Sequence, residues 1–382
     1  MYRPLFEQDH EDFRALARSF LEKEFAPHAD EWTAAGLVPK EAYRRAGEQG
    51  LLGTAVPTEY GGGGVDDFRF PYVLMEEAAK LGAPLGGIPV HLFVTTPYYL
   101  RLCTPEQAAR WLPGIASGET MTSIAMSEPG TGSDLAGIRT TAVRDGDHYV
   151  LNGAKTFITG GINAGLVIVA ARTSTDPDNR RAGLTLIVVE DGTPGFTRGR
   201  KLEKLGVRAT DTAELFFDDV RVPVANRLGE EGRAFEYLTS NLGVERLQIA
   251  VNAVVQARAA IDRTIDYVRQ REVFGGSLSR FQNTKFMLAE SETEFEAAQV
   301  LLDRAVEELL AGRLEAADAA KVKLFCTEAQ GRIVDRCVQL HGGYGYMLEY
   351  EITRLYADAR VTRIYGGSSE VMKLIIAKSL AL

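Results

Sequence analysis

The chain has 382 residues, which is longer than one hydrophobic core normally serves, so two or three packed units are expected. Its formal net charge of -9 leaves no basic excess for nucleic-acid binding, and its 45% of hydrophobic residues is typical of a globular protein. No run approaches the roughly 18 apolar positions of a membrane helix. From the charge we therefore expect no nucleic acid as a partner, and from the lack of a long apolar run we expect no membrane.

The cysteines Cys103, Cys326 and Cys337 form no CxxC pair and no metal-ligand spacing with the histidines. Neither a disulfide framework nor a metal site is therefore predicted. The first residues are acidic from Glu7 onward and contain no apolar segment with a small-residue cleavage site. We expect a reducing compartment, the cytoplasm, with buried and inert thiols.

Residues 1–120 have the periodicity of amphipathic helices and predict an all-α domain. Its clearest helices are expected at 12–24, 40–49, 71–80 and 105–112.

Residues 121–228 change to short alternating strands and predict a small β domain. Asp145-Gly146 and Asn152-Gly153 are both typical of hairpin turns. Residues 229–382 are helical again and predict a bundle, so the fold class is α+β with several domains. The expected helices of this last part span 233–271, 281–311, 314–340 and 369–379.

The segment SEPGTGSD, which begins at Ser127, runs from an apolar strand into a turn. Pro129 restricts one φ angle while Gly130 and Gly132 permit positive φ, so backbone N–H groups can converge on an anion. The hydroxyls of Ser127 and Ser133 are further donors, and a phosphorylated cofactor suits this turn. For the glycines alone, an ordinary surface turn is the more common explanation.

After Lys155, strand alternation places Phe157 and Thr159 on one face. An aromatic plane beside a hydroxyl suits an isoalloxazine ring, although a half-buried strand face explains the same pattern.

Arg271 and Phe274 follow one long predicted helix, and Gln282 begins the next. A guanidinium beside an aromatic ring can bind a pyrophosphate and cover an adenine. An arginine that complements the helix dipole needs no ligand and is the alternative.

Two glycine-rich segments lie near the C-terminus. The segment QLHGGYGY, from Gln339, has more glycines than a helix C-cap needs and permits close approach of a ligand. The segment YGGSSE, from Tyr365, opens the last helix with free N–H groups that suit a carbonyl or phosphate oxygen. Capping by Ser368 or Ser369 also explains the serines.

Glu245 is a carboxylate on an otherwise mostly apolar helix stripe with Leu238, Leu242 and Ile249. Burial would raise its pKa toward that of a useful general base. A structural ion pair with Arg246 is the alternative.

Together these motifs resemble the acyl-CoA dehydrogenase family over nearly the whole chain. AMSEPGTGSD is similar to the first family signature and QLHGGYGYMLEYEITRLYADARVTRIYGGSSEVM to the second. LNGAKTFITGG, KLGVRATDTAELFFDDVRVP and RQREVFGGSLSRFQ lie between them at family-like spacing. The resemblance implies an N-terminal helical domain (1–120), a β-barrel-like middle domain (121–228) and a C-terminal four-helix bundle (229–382).

The resemblance also implies FAD between the middle and C-terminal domains, in a homotetramer whose neighbouring subunit completes the site. The implied residues on the flavin and pyrophosphate side are Met126, Ser127, Gly132, Ser133, Phe157 and Thr159. Those that reach across to the dinucleotide of the neighbour are Arg271, Phe274, Gln282, Gln339 and Gly343. Ser368 and Glu370 contact FAD from the last helix, and the acyl-CoA is expected against Ser133, Arg246, Tyr365 and Gly366.

Most family members carry the catalytic glutamate at the position of Gly366. The long-chain and isovaleryl types place it instead in a Glu-Arg pair on an earlier helix, which Glu245-Arg246 matches. Glu245 is then expected to remove the α-proton of the thioester while a hydride passes from the β-carbon to flavin N5, which yields a trans-2-enoyl product. The Gly366 N–H, with a ribityl hydroxyl of the flavin, is expected to stabilise the developing oxyanion.

Electrons are expected to leave for an electron-transfer flavoprotein. A dehydrogenase or oxidase of carrier-protein-bound acyl groups, or a catalytically retired flavin-binding subunit, is the alternative. The acyl chain length is not assigned. Transfer of the carboxylate, by Glu245→Gly with Gly366→Glu, is expected to restore part of the activity.

Overall fold

A computed structural model describes residues 3–382. In the N-terminal part, the predicted helices are confirmed, with ends displaced by a few residues. Two short helices, Ala29–Ala35 and Thr96–Leu102, and a π-helical turn at Val90–Thr95 were not predicted. The helices of this part are α1 Gln8–Glu24, α2 Ala29–Ala35, α3 Lys40–Glu48, α4 Arg69–Leu81, α5 Thr96–Leu102 and α6 Pro105–Ser117.

The middle part forms one sheet in the order β6-β7-β3-β2-β4-β5-β8, with β1 paired to β4. Side chains from β1 to β7 share a single apolar core, which includes Leu151, Val167, Ile187 and Phe217. The sheet therefore curls around this core, which confirms the barrel-like expectation. The strands are β1 Thr122–Ala125, β2 Thr141–Asp145, β3 His148–Thr159, β4 Leu166–Arg172, β5 Leu184–Glu190, β6 Phe196–Lys201, β7 Thr212–Pro223 and β8 Arg227–Leu228.

Of the two predicted hairpin turns, Asp145-Gly146 is confirmed and Asn152-Gly153 is wrong. Asn152-Gly153 lies inside β3, where the pairing with β7 shifts register between Leu151 and Gly153. The Asn152 side chain exchanges two hydrogen bonds of 2.9 Å with Asp219 of β7. Asn-Gly therefore accommodates a β-bulge here, because a neighbouring strand satisfies the polar groups that a turn would expose.

The C-terminal part contains α7 Ala234–Gln270, α8 Gln282–Leu310, α9 Ala316–His341, α10 Glu351–Thr362 and α11 Ser369–Ser379, with a small hairpin of β9 Glu272–Val273 and β10 Gly276–Ser277. Helices α7, α8 and α9 pack on one another, and α11 packs on α9, so the expected helical bundle is confirmed. The predicted helices of this part are confirmed, whereas α10 was missed.

Helix α7 links the sheet to the bundle. Its first turns, with Ala234 and Leu238, pack in a cluster with outer-face residues of β4 and β5. From Leu247 onward its side chains lie in the core shared with α8, α9 and α4. Glu245 therefore stands where the three parts of the chain meet. The domain boundaries at 120/121 and 228/229 stay a proposal.

No helix in residues 3–382 is both long and apolar enough to cross a membrane. Cys103, Cys326 and Cys337 are free, and the last two are buried.

Candidate active site

Glu245 is a buried carboxylate, with 5% of its surface exposed. Its Oε1 accepts hydrogen bonds of 3.3 Å from the Tyr98 hydroxyl and from Asn241 Nδ2. Burial raises the pKa of Glu245, and the two donors only partly oppose that rise. Within the described part of the chain, Glu245 forms no ion pair, so the structural pair with Arg246 is absent.

Arg246 is also buried, and its Nε has no hydrogen-bond partner among residues 3–382. Burial lowers the pKa of this guanidinium, against the opposing effect of Glu245. An unpartnered buried N–H is unfavourable unless another molecule supplies an acceptor, which suits the predicted place of Arg246 beside a substrate.

Asn241 is itself held by the N-terminal helices. Its Nδ2 donates to the carbonyl of Val94 at 3.2 Å, and its Oδ1 accepts from Arg101 Nη2 at 3.3 Å. Val94 belongs to the π-helical turn Val90–Thr95, a widened turn of a kind that is frequent at functional sites. Sequence reasoning missed Tyr98, whereas the spacing of four between Asn241 and Glu245 was a usable signal.

The segment before α11 lies against the same face of α7. A Cβ built on Gly366 would lie 2.3 Å from Cδ1 of Ile249, which follows Glu245 by one helical turn. Burial raises the pKa of the Tyr365 hydroxyl, and the side chain of Asn252, one turn further along α7, partly opposes that rise. The structure therefore brings Tyr365, Gly366 and the helix face of Glu245 together.

The predicted flavin residues of the middle part lie on adjacent segments. The carbonyl of Ser127 accepts a 3.0 Å hydrogen bond from the backbone N–H of the residue before Phe157. The carbonyl of Met126 accepts one from Lys155 Nζ, also at 3.0 Å. Met126 and Ser127 thus lie beside the end of β3, which carries Phe157 and Thr159.

Phe157 has an unusual backbone and an unusual exposure. Its φ is +60°, within a register shift of β3 between Lys155 and Ile158, and 72% of its surface is exposed. A bulky residue in the left-handed region is strained, and such strain is common at ligand sites.

A buried ion pair between Glu128 and Lys155 connects the Met126-Ser127 segment to the end of β3. The Glu128 carboxylate accepts from Lys155 Nζ at 2.9 Å, from the Thr140 N–H and hydroxyl at 2.9 and 2.6 Å, and from the Arg139 N–H at 2.7 Å. Burial acts to raise the pKa of Glu128, but the bonds from Thr140 and the charge of Lys155 outweigh it and lower that pKa. Burial lowers the pKa of Lys155 to about 8. The sequence analysis missed both roles.

Gly132 and Ser133 lie on the exposed turn that follows Glu128. Nothing stands within 4 Å of a Cβ built on Gly130 or Gly132, so the backbone here is open to a ligand. Beyond this turn, Asp134 pairs with Arg180 at 3.0 Å.

The second predicted group gathers where α7 and α9 end. The Arg271 guanidinium lies 5.4 Å from the ring centroid of Tyr344, next to Gly343. Phe274 is 97% exposed. Gln282 at the start of α8 and Gln339 in the last turn of α9 belong to the same end of the bundle.

At the start of α11, the Ser368 hydroxyl accepts from the N–H of Val371 at 3.4 Å and caps the helix. Glu370 is exposed in the first turn, where a carboxylate complements the helix dipole. Capping therefore explains Ser368, and its FAD contact stays a prediction.

These residues fit FAD. The exposed Phe157 ring offers a face for an isoalloxazine, the open glycine turn offers N–H groups for phosphate oxygens, and the exposed Phe274 offers a surface for an adenine. Among residues 3–382, no hydrogen bond joins the Phe157 group to the Arg271 group.

Three family models match the chain. They are the N-terminal domain of acyl-CoA dehydrogenase over residues 7–119, its middle domain over 123–220 and its C-terminal domain over 232–381. The long-chain specific mitochondrial acyl-CoA dehydrogenase of Sus scrofa is 41% identical over 378 residues, which cover 99% of this chain and 88% of that protein.

Solved structures agree. A crystal structure of an acyl-CoA dehydrogenase from Geobacillus kaustophilus is 47% identical with a TM-score of 0.97, over 100% of both chains. A glutaryl-CoA dehydrogenase from Mycobacterium smegmatis, in complex with FADH2, is 30% identical with a TM-score of 0.90, over 98% of this chain and 95% of that one. The chain therefore belongs to the acyl-CoA dehydrogenase family, whose members are FAD-dependent oxidoreductases that act on the CH–CH bond of an acyl-CoA.

Proposed function

We propose that this protein converts an acyl-CoA thioester to the trans-2-enoyl-CoA, with Glu245 as the base that accepts the α-proton. The observation that carries the proposal is a buried carboxylate that has no ion-pair partner within residues 3–382, on the helix face against which Gly366 packs. Because burial raises the pKa of Glu245, its carboxylate is a stronger base than an exposed one.

The side chains around Glu245 orient it. Tyr98 and Asn241 donate to the same oxygen, Oε1, which leaves Oε2 for the proton of the substrate. In this proposal, the Gly366 N–H stabilises the negative charge that develops on the thioester oxygen. Ser133, Arg246 and Tyr365 are the further candidates for substrate contact.

Met126, Ser127, Gly132, Ser133, Phe157, Thr159, Ser368 and Glu370 would hold FAD from one subunit, and Arg271, Phe274, Gln282, Gln339 and Gly343 would do so from its neighbour. When bound, FAD supplies the hydride acceptor at N5. Phe157, strained and exposed at the end of β3, orients that ring in this proposal.

We further propose a homotetramer and electron transfer to an electron-transfer flavoprotein, as the family resemblance implies. Large apolar side chains exposed on the C-terminal part support association, since such surface is unfavourable in water. They include Phe274 at 97%, Leu374 at 70% and Leu382 at 89% exposure. The cytoplasmic location stays a prediction.

Anaerobic mixing of the FAD-bound protein with acyl-CoAs of increasing chain length tests the function. The oxidised flavin absorbance is expected to fall with acyl-CoAs of some chain lengths. If the absorbance stays unchanged with every acyl-CoA, the protein is a retired subunit. Faster reduction by the acyl-carrier-protein thioester than by the matching acyl-CoA would favour the carrier-protein alternative. Rapid reoxidation by O2 would favour an oxidase.

A further inference from the structure

Lys323 of α9 is an ammonium buried next to the Gly366 segment. It is 1% exposed, and its Nζ donates to the carbonyl of Tyr365 at 2.5 Å and to the carbonyl of Gly367. No carboxylate within residues 3–382 pairs with it. Its partners are therefore the carbonyl group that directly precedes Gly366 and the carbonyl group of the following residue, Gly367.

This placement is electrostatically expensive. Burial, together with the charge of Arg246, lowers the pKa of Lys323 to about 8. A neutral side chain such as methionine would fill the same volume without a desolvation cost. The hydrogen bonds to the two carbonyl groups are the interactions that offset the desolvation of the buried charge.

Because the peptide is planar, the hydrogen bond from Lys323 to the Tyr365 carbonyl also fixes the orientation of the Gly366 N–H. The carbonyl of Tyr365 and the N–H of Gly366 belong to one planar trans unit and point in opposite directions. When Lys323 holds the carbonyl oxygen, the N–H must point away from Lys323. The bond to Gly367 restrains the Gly367–Ser368 peptide, so both ends of a pair of glycines with φ angles of +61° and +93° are held.

We propose that Lys323 is a positioning residue for the dehydrogenation: it aligns the Tyr365–Gly366 peptide and polarises it, so that the Gly366 N–H is a stronger donor to the thioester oxygen. This inference rests on the proposed function. A cation on the carbonyl draws electron density from the amide nitrogen, and hydrogen bonds in series strengthen one another by roughly 10–30%. The donor is also aligned before charge develops on the substrate oxygen.

A purely structural role for Lys323, as an anchor for the entry of α11, predicts a different result. An anchor affects folding and FAD content. A polarising residue also changes the carbonyl bond of the bound ligand, and its removal lowers kcat more than it raises KM.

The test compares Lys323→Met with Lys321→Met in the FAD-bound protein. Lys321 lies on the same helix but is exposed and pairs with Asp318 at 2.9 Å. The first measurement is the infrared stretching frequency of a trans-2-enoyl-CoA, isotope-labelled at the thioester carbonyl, when it is bound. The second is kcat and KM for the saturated acyl-CoA.

We expect the wild type and Lys321→Met to lower the carbonyl frequency equally relative to free ligand. Lys323→Met should lose much of that shift, with kcat reduced roughly 10- to 100-fold, less than for removal of a whole oxyanion donor. KM should change by less than about 3-fold, because the donor acts mainly on the transition state.

Lys323→Gln, which keeps a neutral donor, serves where the Met variant does not fold, and an intermediate shift is expected. A folded Lys323 variant with full FAD, the full carbonyl shift and the kcat of the wild type would overturn the inference. If the wild type itself bound no enoyl-CoA, the proposed function would fail instead, so the two failures are distinguishable.

Discussion

Ile249 fills the space that a side chain at residue 366 would need, since a Cβ there would lie 2.3 Å from Ile249 Cδ1. Ile249 and Glu245 are one turn apart on α7, so one helix face both supplies the carboxylate and lines the position where the family resemblance places the base of most members. The missing carboxylate at 366 and the buried one at 245 are thus linked by packing.

This contact changes the outcome expected for moving the base. Glu245→Gly with Gly366→Glu should recover only a small part of the activity, because the new side chain must displace the end of Ile249 and its backbone has a φ of +61°. With Ile249→Ala added, flavin reduction by acyl-CoA should recover by about 10-fold or more over that of the double variant. Equal recovery without the Ile249 change would show that this contact does not matter.

Glu245→Gln should keep FAD while lowering the rate of flavin reduction by about 10²- to 10⁴-fold, the usual contribution of a general base. Stopped-flow absorbance at saturating acyl-CoA measures that rate. Glu236→Gln is the matched control, because Glu236 lies on the same helix, is exposed and pairs with Arg233. Full activity of Glu245→Gln would reject Glu245 as the base.

Tyr98→Phe should shift the acidic limb of the kcat/KM profile to higher pH. The Tyr98 hydroxyl stabilises the ionised carboxylate, so its loss raises the pKa of Glu245 further. Arg101 and Arg246, the cations that also act on Glu245, stay unchanged. Tyr99→Phe is the control, since the buried Tyr99 hydroxyl has no partner among residues 3–382. A profile that does not move in Tyr98→Phe would contradict this geometry.

Glu245 should also make the folded protein less stable as pH rises. Because the folded pKa of Glu245 is raised, the folded state binds more protons, and the contribution of Glu245 to stability is lost as pH rises through that pKa. At neutral pH, Glu245→Gln is therefore expected to raise the free energy of unfolding, because the variant buries no charge at this position. Urea unfolding measures the difference, which should vanish below the ordinary pKa of a glutamate. A destabilised variant at neutral pH would argue against a buried charge.

Lys155→Met should lower the free energy of unfolding by about 3–5 kcal/mol, because it leaves the buried Glu128 without its cation. FAD should also dissociate more readily, since Lys155 holds the carbonyl of Met126. Adding Glu128→Gln should restore part of the stability, and Lys321→Met should cost less than about 1 kcal/mol. Thermal unfolding and the flavin content after gel filtration report these effects. An unchanged flavin content in Lys155→Met would separate the ion pair from FAD binding.

The sequence alone determined the order of helices and strands. Apolar residues repeat with a period of about 3.6 in helices and 2 in strands, and both repeats can be read from residues close together in the chain. The long helices from Ala234 to His341 were predicted to within a few residues. The same local signals failed at Asn152-Gly153, since the partner that converts a turn signal into a bulge, Asp219, lies on another strand.

Only the tertiary structure decided which side chains hydrogen-bond to the Glu245 carboxylate and which side chain lies next to Gly366. Tyr98 is 147 residues from Glu245, and Lys323 is 42 residues from Tyr365, and no spacing rule links positions so far apart. The pKa of a side chain depends on burial and on its partners, which are set when separate elements pack together. The sequence could therefore suggest Glu245 as the base. The hydrogen-bond donors to Glu245, and the bonds from Lys323 to the backbone around Gly366, depend on how the helices pack.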